Sequence, residues 1–367
     1  MIKTDREKDL SRILCVFGSL DQGGAESMCM QLYHHMDRTK IQFDFVTHSG
    51  PGGAYEEEIR ALGGRIYYCP QYKIINDLAY RAWWRRHLSA HPEHRIIHGH
   101  YFSISSVYFN VAHQFGCVTI GHSHTDGFSN PLKRLFIKGV EKKSDYCFAC
   151  SEQAGKMLFP HKEFKVLRNA IDVEQFTYNR KVAEEVRREF SLGDSFVLGT
   201  VGTIKQIKNP LGVIELFHAL SLKKPDSRLL WVGRDEGMRS EAEERLRELG
   251  LQDKVVFTGT RSDVNRLMQA MNCFVLPSFS EGIPVVLIEA QAAGLPCFVS
   301  DTVSKDAGIT ELCHYLPLDE WDRWAKEILT VNGNRNDMKA AISATGYDIH
   351  DTAEWLQQFY LNISDHA

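Results

Sequence analysis

The chain has 367 residues, 43% of them hydrophobic and 25% charged, with a formal net charge of −4. That length exceeds one ordinary core and suits two domains, and the composition is that of a globular chain rather than a disordered or fibrous one. The slightly acidic balance gives no global attraction for nucleic acid, and no stretch reaches the ~18 apolar residues of a membrane-spanning helix.

The N-terminus, MIKTDREKDLSR, is charged from its third residue and lacks the apolar centre of a signal peptide, so a cytoplasmic location is expected. Nine cysteines, an odd number, fall mostly within strand-like runs (Cys15, Cys69, Cys273, Cys297), which suits reduced, buried thiols. The strand candidates of the first half are RILCVFG (12–18), FDFVTH (43–48), RIYYC (65–69), RIIHGH (95–100), VTIGHSH (118–124), YCFAC (146–150) and KVLRN (165–169). Those of the second half are FVLGTVG (196–202), RLLWVG (228–233), KVVFTG (254–259), CFVLPS (273–278) and PCFVS (296–300). Their alternation with helical runs predicts an α/β fold with parallel sheets, whose ligands gather beyond the carboxyl ends of the strands.

After the first strand comes GSLDQGGAES (18–27). Gly23 and Gly24 permit close approach of backbone to a ligand, although the full G-x-G-x-x-G spacing is missing. AYRAWWRRHL (79–88) and NPLKRLFIKGVEKK (130–143) read as basic amphipathic helices. They fit either plain solvated faces or contact with an anionic membrane surface. Two His-x-His pairs, His98/His100 and His122/His124, stand at strand ends. They would suit a metal if further ligands such as Asp126 or Asp301 joined them, but no spacing supports that. The single C-x-x-C, Cys147 and Cys150, reads as structural.

The polar turn and charged helix NAIDVEQFTYNRKVAEEVRREFSLGDS set a boundary near residue 180. The expected division is 1–180, 181–345 and a closing segment 346–367 that crosses back to the first domain with a helix at about 352–363. In VGTIKQIKNP (201–210), Lys205 and Lys208 could neutralise a departing diphosphate. The stretch LPSFSEGIPVVLIEAQAAGLPCFVSD (276–301) predicts a helix over about 284–293, with Pro284 at its first position and Gly294 as its stop. The amides of Ile283, Val285 and Val286 would then form an anion-binding helix start. Glu281 precedes that helix, and Glu289 lies within it beside Val285, Ile288 and Ala292. A carboxylate there can accept hydrogen bonds from sugar hydroxyls.

SEGIPVVLIEAQAAGLP resembles the E-x7-E signature of the retaining, nucleotide-sugar-dependent glycosyltransferases of family 4. LDQGGAES, LRNAIDVEQF, VGTIKQIKNP, LLWVGR, VVFTGTRSDV and FVLPSFSEG extend the resemblance, in order, over nearly the whole chain. It implies a GT-B fold, two Rossmann-like domains facing each other across a cleft, with the acceptor on the first and the donor on the second. It also implies a retaining, metal-independent enzyme without a cofactor. The co-substrate would be a nucleotide sugar, UDP being the expected nucleotide, and the acceptor a hydroxyl of a glycan or lipid-linked carrier. The branch it resembles most is bacterial exopolysaccharide and capsule synthesis, on the cytoplasmic face of the membrane.

By the same resemblance Glu289 holds ribose, Glu281 meets the transferred sugar, and Lys208 is the diphosphate lysine. The backbone through Gly282, Ile283, Pro284, Val285 and Val286 meets sugar and diphosphate, and the Gly23–Gly24 loop faces donor phosphates and acceptor. His122, or else His124, stands near the reacting centre. The implied catalytic group is Glu281, His122 and Lys208, and the donor-binding set also includes Thr203 and Lys205. One position departs from the family, which usually has Arg where this chain has Thr203. Three other readings remain open: a nucleotide-sugar epimerase, a metallohydrolase on the His pairs, and a catalytically weak partner subunit.

Overall fold

The computed structural model describes residues 10–21, 23–124, 139–331 and 333–364. The seven runs of the first half form strands β1 (Ser11–Phe17), β2 (Ile41–Thr47), β3 (Ile66–Tyr68), β4 (Ile96–Gly99), β5 (Val118–Ser123), β6 (Tyr146–Ala149) and β7 (Lys165–Val166). They pair in parallel in the order β3-β2-β1-β4-β5-β6-β7. The apolar run of β1 has a direct cause. Ile13, Cys15 and Phe17 enter a core on one face with Phe43 and Phe45, while Leu14 and Val16 enter another with Tyr80 and Trp84. A parallel strand covered on both faces has no solvent side on which to place polar residues.

The second sheet contains β8 (Phe196–Val201), β9 (Ser227–Val232), β10 (Val255–Phe257), β11 (Cys273–Leu276), β12 (Cys297–Ser300) and β13 (Cys313–Leu316), in the order β10-β9-β8-β11-β12-β13. The last is an addition to the five strands expected here. As an edge strand it is only half covered, so CHYL carries no apolar run that would mark it.

Five helices matter for the site: α1 (Gly24–His35), α2 (Asp77–Ala90), α3 (Pro210–Lys223), α4 (Val285–Ala292) and α5 (Ile349–Ser364). The chain divides into two compact units. One comprises the residues up to Ala170 together with those from Ile349 onward, and the other runs from Ile171 to Asp348. The first boundary falls before the expected 180 because the NAID turn already belongs to the second unit. There the Ile171 amide donates to the Tyr347 carbonyl at 2.9 Å, and Val173 and Phe176 join the core.

Helix α5 belongs to the first unit. Ile349, Ala353, Leu356, Tyr360 and Ile363, spaced four and three apart, enter the core that holds Phe43 and Phe45. The Gln357 side chain accepts from the Asp37 amide at 2.7 Å. Truncating Leu356, which is 1% exposed, to Ala should cost the first unit about 2–5 kcal/mol in chemical denaturation. A loss under about 1 kcal/mol would mean that α5 rests on the unit without completing its core.

Candidate active site

In the second unit β8 lies between β9 and β11, so the chain leaves the sheet in opposite directions on its two sides and opens a crevice at the carboxyl ends. Two glycines close the floor of that crevice. A Cβ on Gly233 would stand 1.9 Å from the Gly202 carbonyl oxygen, and both residues have left-handed φ values, 153° and 157°. The chain then makes a short turn over Gln206–Lys208 and reaches Asn209, a non-glycine residue at φ 55°.

Asn209 is buried and uses both ends of its amide. Its oxygen accepts from the Gly212 amide at 3.0 Å and caps α3. Its nitrogen donates to the Pro277 carbonyl at 3.0 Å, just beyond β11. The Phe279 amide adds a bond to the Ile207 carbonyl at 2.9 Å. These ties bring two loops together, and with them Lys208 and Glu281. The Lys208 ammonium forms an ion pair with the Glu281 carboxylate, and both side chains are largely shielded. The Glu281 backbone is held by the Ser304 amide at 3.2 Å.

Gly282 is exposed, Ile283 is partly buried, and Pro284 is buried. Pro284 does not open the helix as expected; its ψ of 117° is extended, so it stands as the cap and α4 begins at Val285. No side chain caps this end, so the amides of Val285 and Val286 face outward at the positive end of the helix dipole. Leu287, Ile288 and Ala290 anchor the helix in the core. At its far end the Arg335 guanidinium donates to the carbonyls of Met268 at 2.9 Å, Met271 at 2.5 Å and Ala293 at 2.5 Å. Burial without a carboxylate partner lowers the Arg335 pKa to about 10.

Glu289 reaches the surface in part, yet its carboxyl is set deep enough for desolvation to raise its pKa to about 7. Among the described residues that carboxyl has no hydrogen-bond or ion-pair partner. Lys205 is engaged elsewhere, 3.3 Å from Glu236, which Arg234 also holds at 2.8 Å. Thr203, partly exposed, brings no charge.

Gly23, Gly24 and His122 belong to the first unit. Gly23 precedes α1, where a Cβ would strike the Glu26 carboxylate at 2.3 Å, whereas Gly24 opens the helix with nothing within 4 Å. His122 is fully buried at the end of β5, with His98 and His100 from β4 and its continuation alongside it. His98 Nε2 lies 3.1 Å from His122 Nδ1, and His100 Nδ1 lies 2.8 Å from His124 Nε2. Burial lowers the His98 pKa to about 3 and the His124 pKa to about 4, and holds His100 and His122 well below the usual imidazole range. All four rings are therefore neutral at pH 7.

His98, His100 and His122 are close enough to suggest a metal. However, the His98 and His100 rings stack at 4.2 Å and 28°, so their in-plane lone pairs run side by side, and His98 Nε2 and His122 Nδ1 already face each other at hydrogen-bonding distance. The three rings therefore do not open on one ion. Asp126 lies outside the described residues. Sequence reasoning missed Asn209 and Tyr360; the KN dipeptide before a proline was a usable signal for the first, whereas nothing local marks the second.

Family models match two successive parts of the chain: Glycosyltransferase Family 4 over residues 22–175 and Glycosyl transferases group 1 over residues 182–311. EpsF of Bacillus subtilis (strain 168), itself a provisionally assigned glycosyltransferase, is 33% identical over 96% of this chain and 97% of its own. The UDP-Gal:alpha-D-GlcNAc-diphosphoundecaprenol alpha-1,3-galactosyltransferase of Escherichia coli is also 33% identical, over 38% of this chain and 37% of its own. Among solved structures, Anabaena HepE in complex with UDP has a TM-score of 0.72 at 18% identity, over 98% of this chain and 99% of its own. That is a likeness of fold.

The lone carboxyl of Glu289 has a measurable cost. Its folded pKa exceeds its ordinary value of 4.5, so the folded state holds the proton more tightly. Stability should be highest below about pH 4.5 as regards this group, and should fall as pH rises through about 7. Glu289→Gln removes that loss and should gain about 1–2 kcal/mol over the parent at pH 8, the full cost being discounted for partial exposure. Urea titrations at pH 5 and pH 8 measure it; an equal gain at both pH values would contradict a desolvated carboxyl.

Proposed function

The chain belongs to glycosyltransferase family 4, and from that premise we propose that it moves a sugar from UDP to a hydroxyl of a lipid-linked glycan, with retention of configuration and without a catalytic metal. The observation that carries this reading is the group of Lys208, Glu281, the uncapped start of α4 and the unpartnered Glu289, all on two loops and a helix of one unit. The E. coli relative, named for a UDP-sugar donor and a diphosphoundecaprenol acceptor, supports the choice of both substrates, and a Salmonella typhi relative named for Vi polysaccharide biosynthesis, 29% identical over 48% of this chain, supports a place in surface-polysaccharide synthesis.

The mechanism follows from charge. Without substrate, Lys208 and Glu281 neutralise each other. An arriving diphosphate draws the ammonium toward it and settles against the amides of Val285 and Val286, which releases Glu281 to accept from hydroxyls of the transferred sugar. The ribose hydroxyls donate to Glu289, ending its isolation. Negative charge grows on the departing diphosphate as the glycosidic bond loosens, and Lys208 and the helix end are already aimed at it. The acceptor hydroxyl attacks from the same face and loses its proton to that phosphate. Because Thr203 is uncharged and Lys205 is held by Glu236, Lys208 bears most of this task. A chain that binds UDP yet transfers to no acceptor would favour the partner-subunit reading.

The surface of the first unit supports a lipid-borne acceptor. The expected basic helix at 79–88 lies inside α2, but Trp84 and His87 face inward. The apolar side chains that do meet solvent precede it: Ile74, Ile75 and Leu78 are 72%, 93% and 83% exposed. Lys73, Arg85 and Arg86 are also exposed. Exposed aliphatic side chains with exposed cations on the same segment suit the boundary of an anionic bilayer. The patch follows β3, so it stands at the carboxyl edge of the sheet, the same edge on which His122 and the Gly23–Gly24 loop lie. The second basic stretch, 130–143, falls mostly outside the described residues.

Two measurements test the proposal. Glu289→Ala should weaken UDP-sugar binding about 10- to 100-fold, the worth of one or two charged hydrogen bonds. Glu281→Gln should mainly lower kcat, and Lys208→Ala should cost about 10²–10³ in kcat. Parent rates in all three variants would dismiss the donor site. Separately, the chain should float with phosphatidylglycerol vesicles at low salt and release as salt rises. Paired Ile75→Asp and Leu78→Asp changes should abolish flotation, and undiminished flotation in that variant would dismiss the patch.

A further inference from the structure

The buried histidines of the first unit are ordered by a residue that arrives from far along the chain. Tyr360, on α5, places its hydroxyl 2.6 Å from His98 Nδ1, across 262 positions of sequence. Tyr360, His98 and His122 are 0%, 2% and 0% exposed. The Tyr360 hydroxyl has no other hydrogen-bond partner among the described residues. Its proton must therefore go to His98 or be left unpaired in the core, at the cost of a buried donor. With His98 Nδ1 accepting, a neutral His98 carries its own proton on Nε2, the nitrogen that faces His122 Nδ1 at 3.1 Å. His122 Nδ1 must accept in turn, and the proton of a neutral His122 is left on Nε2. That atom is buried and has no hydrogen-bond partner among the described residues.

We propose that Tyr360 acts through His98 as a positioning residue that fixes the tautomer of His122, so that His122 presents an Nε2–H donor, and not a base, to a ligand oxygen that reaches this end of β5. The role given to the ligand rests on the function proposed above; the tautomer does not. The chain of bonds runs Tyr360 O–H to His98 Nδ1 and His98 Nε2–H to His122 Nδ1, and leaves the His122 Nε2–H as its unpaired end. In this state His122 cannot accept a proton from the acceptor hydroxyl without reversing both internal bonds. It is a donor and not the base. The second pair, His100 and His124, shares no hydrogen bond with this chain. It stacks on it, with His122 and His124 at 4.1 Å and Phe17 closing the stack on His100 at 4.3 Å.

The test is long-range proton–nitrogen NMR on the full chain with ¹⁵N-labelled histidine at pH 7, with His122 assigned by loss of its signals in His122→Gln. The wild type should show His122 with one protonated nitrogen, Nε2, and one bare nitrogen, Nδ1, and no titration between pH 6 and 8. In Tyr360→Phe the two nitrogen shifts should move toward each other as both tautomers become populated. kcat/KM for the sugar donor should fall about 3- to 10-fold, the worth of one oriented hydrogen bond. A wild-type His122 that is protonated on Nδ1, or that titrates near pH 7, overturns the inference, as does a Tyr360→Phe spectrum identical to the parent. The spectra need no sugar donor, so the tautomer stands or falls independently of whether the chain transfers sugar.

Discussion

One left-handed asparagine organises the second unit's site. Asn209 lies where the chain turns from β8 into α3, and its single amide group satisfies a helix start with one atom and the loop after β11 with the other. The Lys208–Glu281 pair depends on that tie, because its members come from positions 73 apart in number and meet only if the two loops are fastened together. Glycine could adopt the same φ but would lose both bonds, and aspartate could cap the helix but could not donate to Pro277. The demands of conformation, capping and donation meet in asparagine alone.

The electrostatics of the site follow from what is paired and what is left single. Lys208 and Glu281 satisfy each other, as do Lys205 and Glu236. Glu289 is left with burial and no partner, a state that natural interiors tolerate where a ligand completes the group. The uncapped α4 start is its counterpart: backbone donors without an acceptor lie along the helix from an acceptor without a donor. A ligand with an anionic centre and hydroxyls some way off would satisfy both at once, which is the chemical outline of a nucleoside diphosphate.

Much of this architecture was legible in the chain. Central parallel strands buried on both faces announce themselves as apolar runs, and the half-covered edges β3, β7 and β10 kept enough apolar residues to be found with them, twelve strands of thirteen. β13 did not, since an edge strand with His314 half in solvent carries no such run. The helix behind Pro284 could be placed, and the error of one residue at its start came from a ψ that sequence does not specify. Glu281 and Lys208 were identifiable as separate candidates from their loops beyond strand ends, and Glu289 as an acid set among apolar positions within a helix. Their pairings were not, because contacts across a switch point depend on strand order rather than on spacing. Tyr360 lies at the extreme of this: as one apolar-face position in a helical stripe it looked like core packing, and only the fold shows its hydroxyl against His98.

Helix α5 also has a bearing on how the chain is made. The second unit is one continuous segment, so once Asp348 has left the ribosome every residue of its core is present. The first unit is interrupted: its seven strands are synthesised early, but Ile349, Ala353, Leu356 and Tyr360 emerge only after the whole of the second unit. Until then the face over β1 and β2 lacks its cover, and an early-born sheet must wait beside a later-born, self-sufficient neighbour. Domain order along the gene is thus the reverse of the order in which the two cores can be completed, and the histidine chain behind His122 cannot close until α5 has been made.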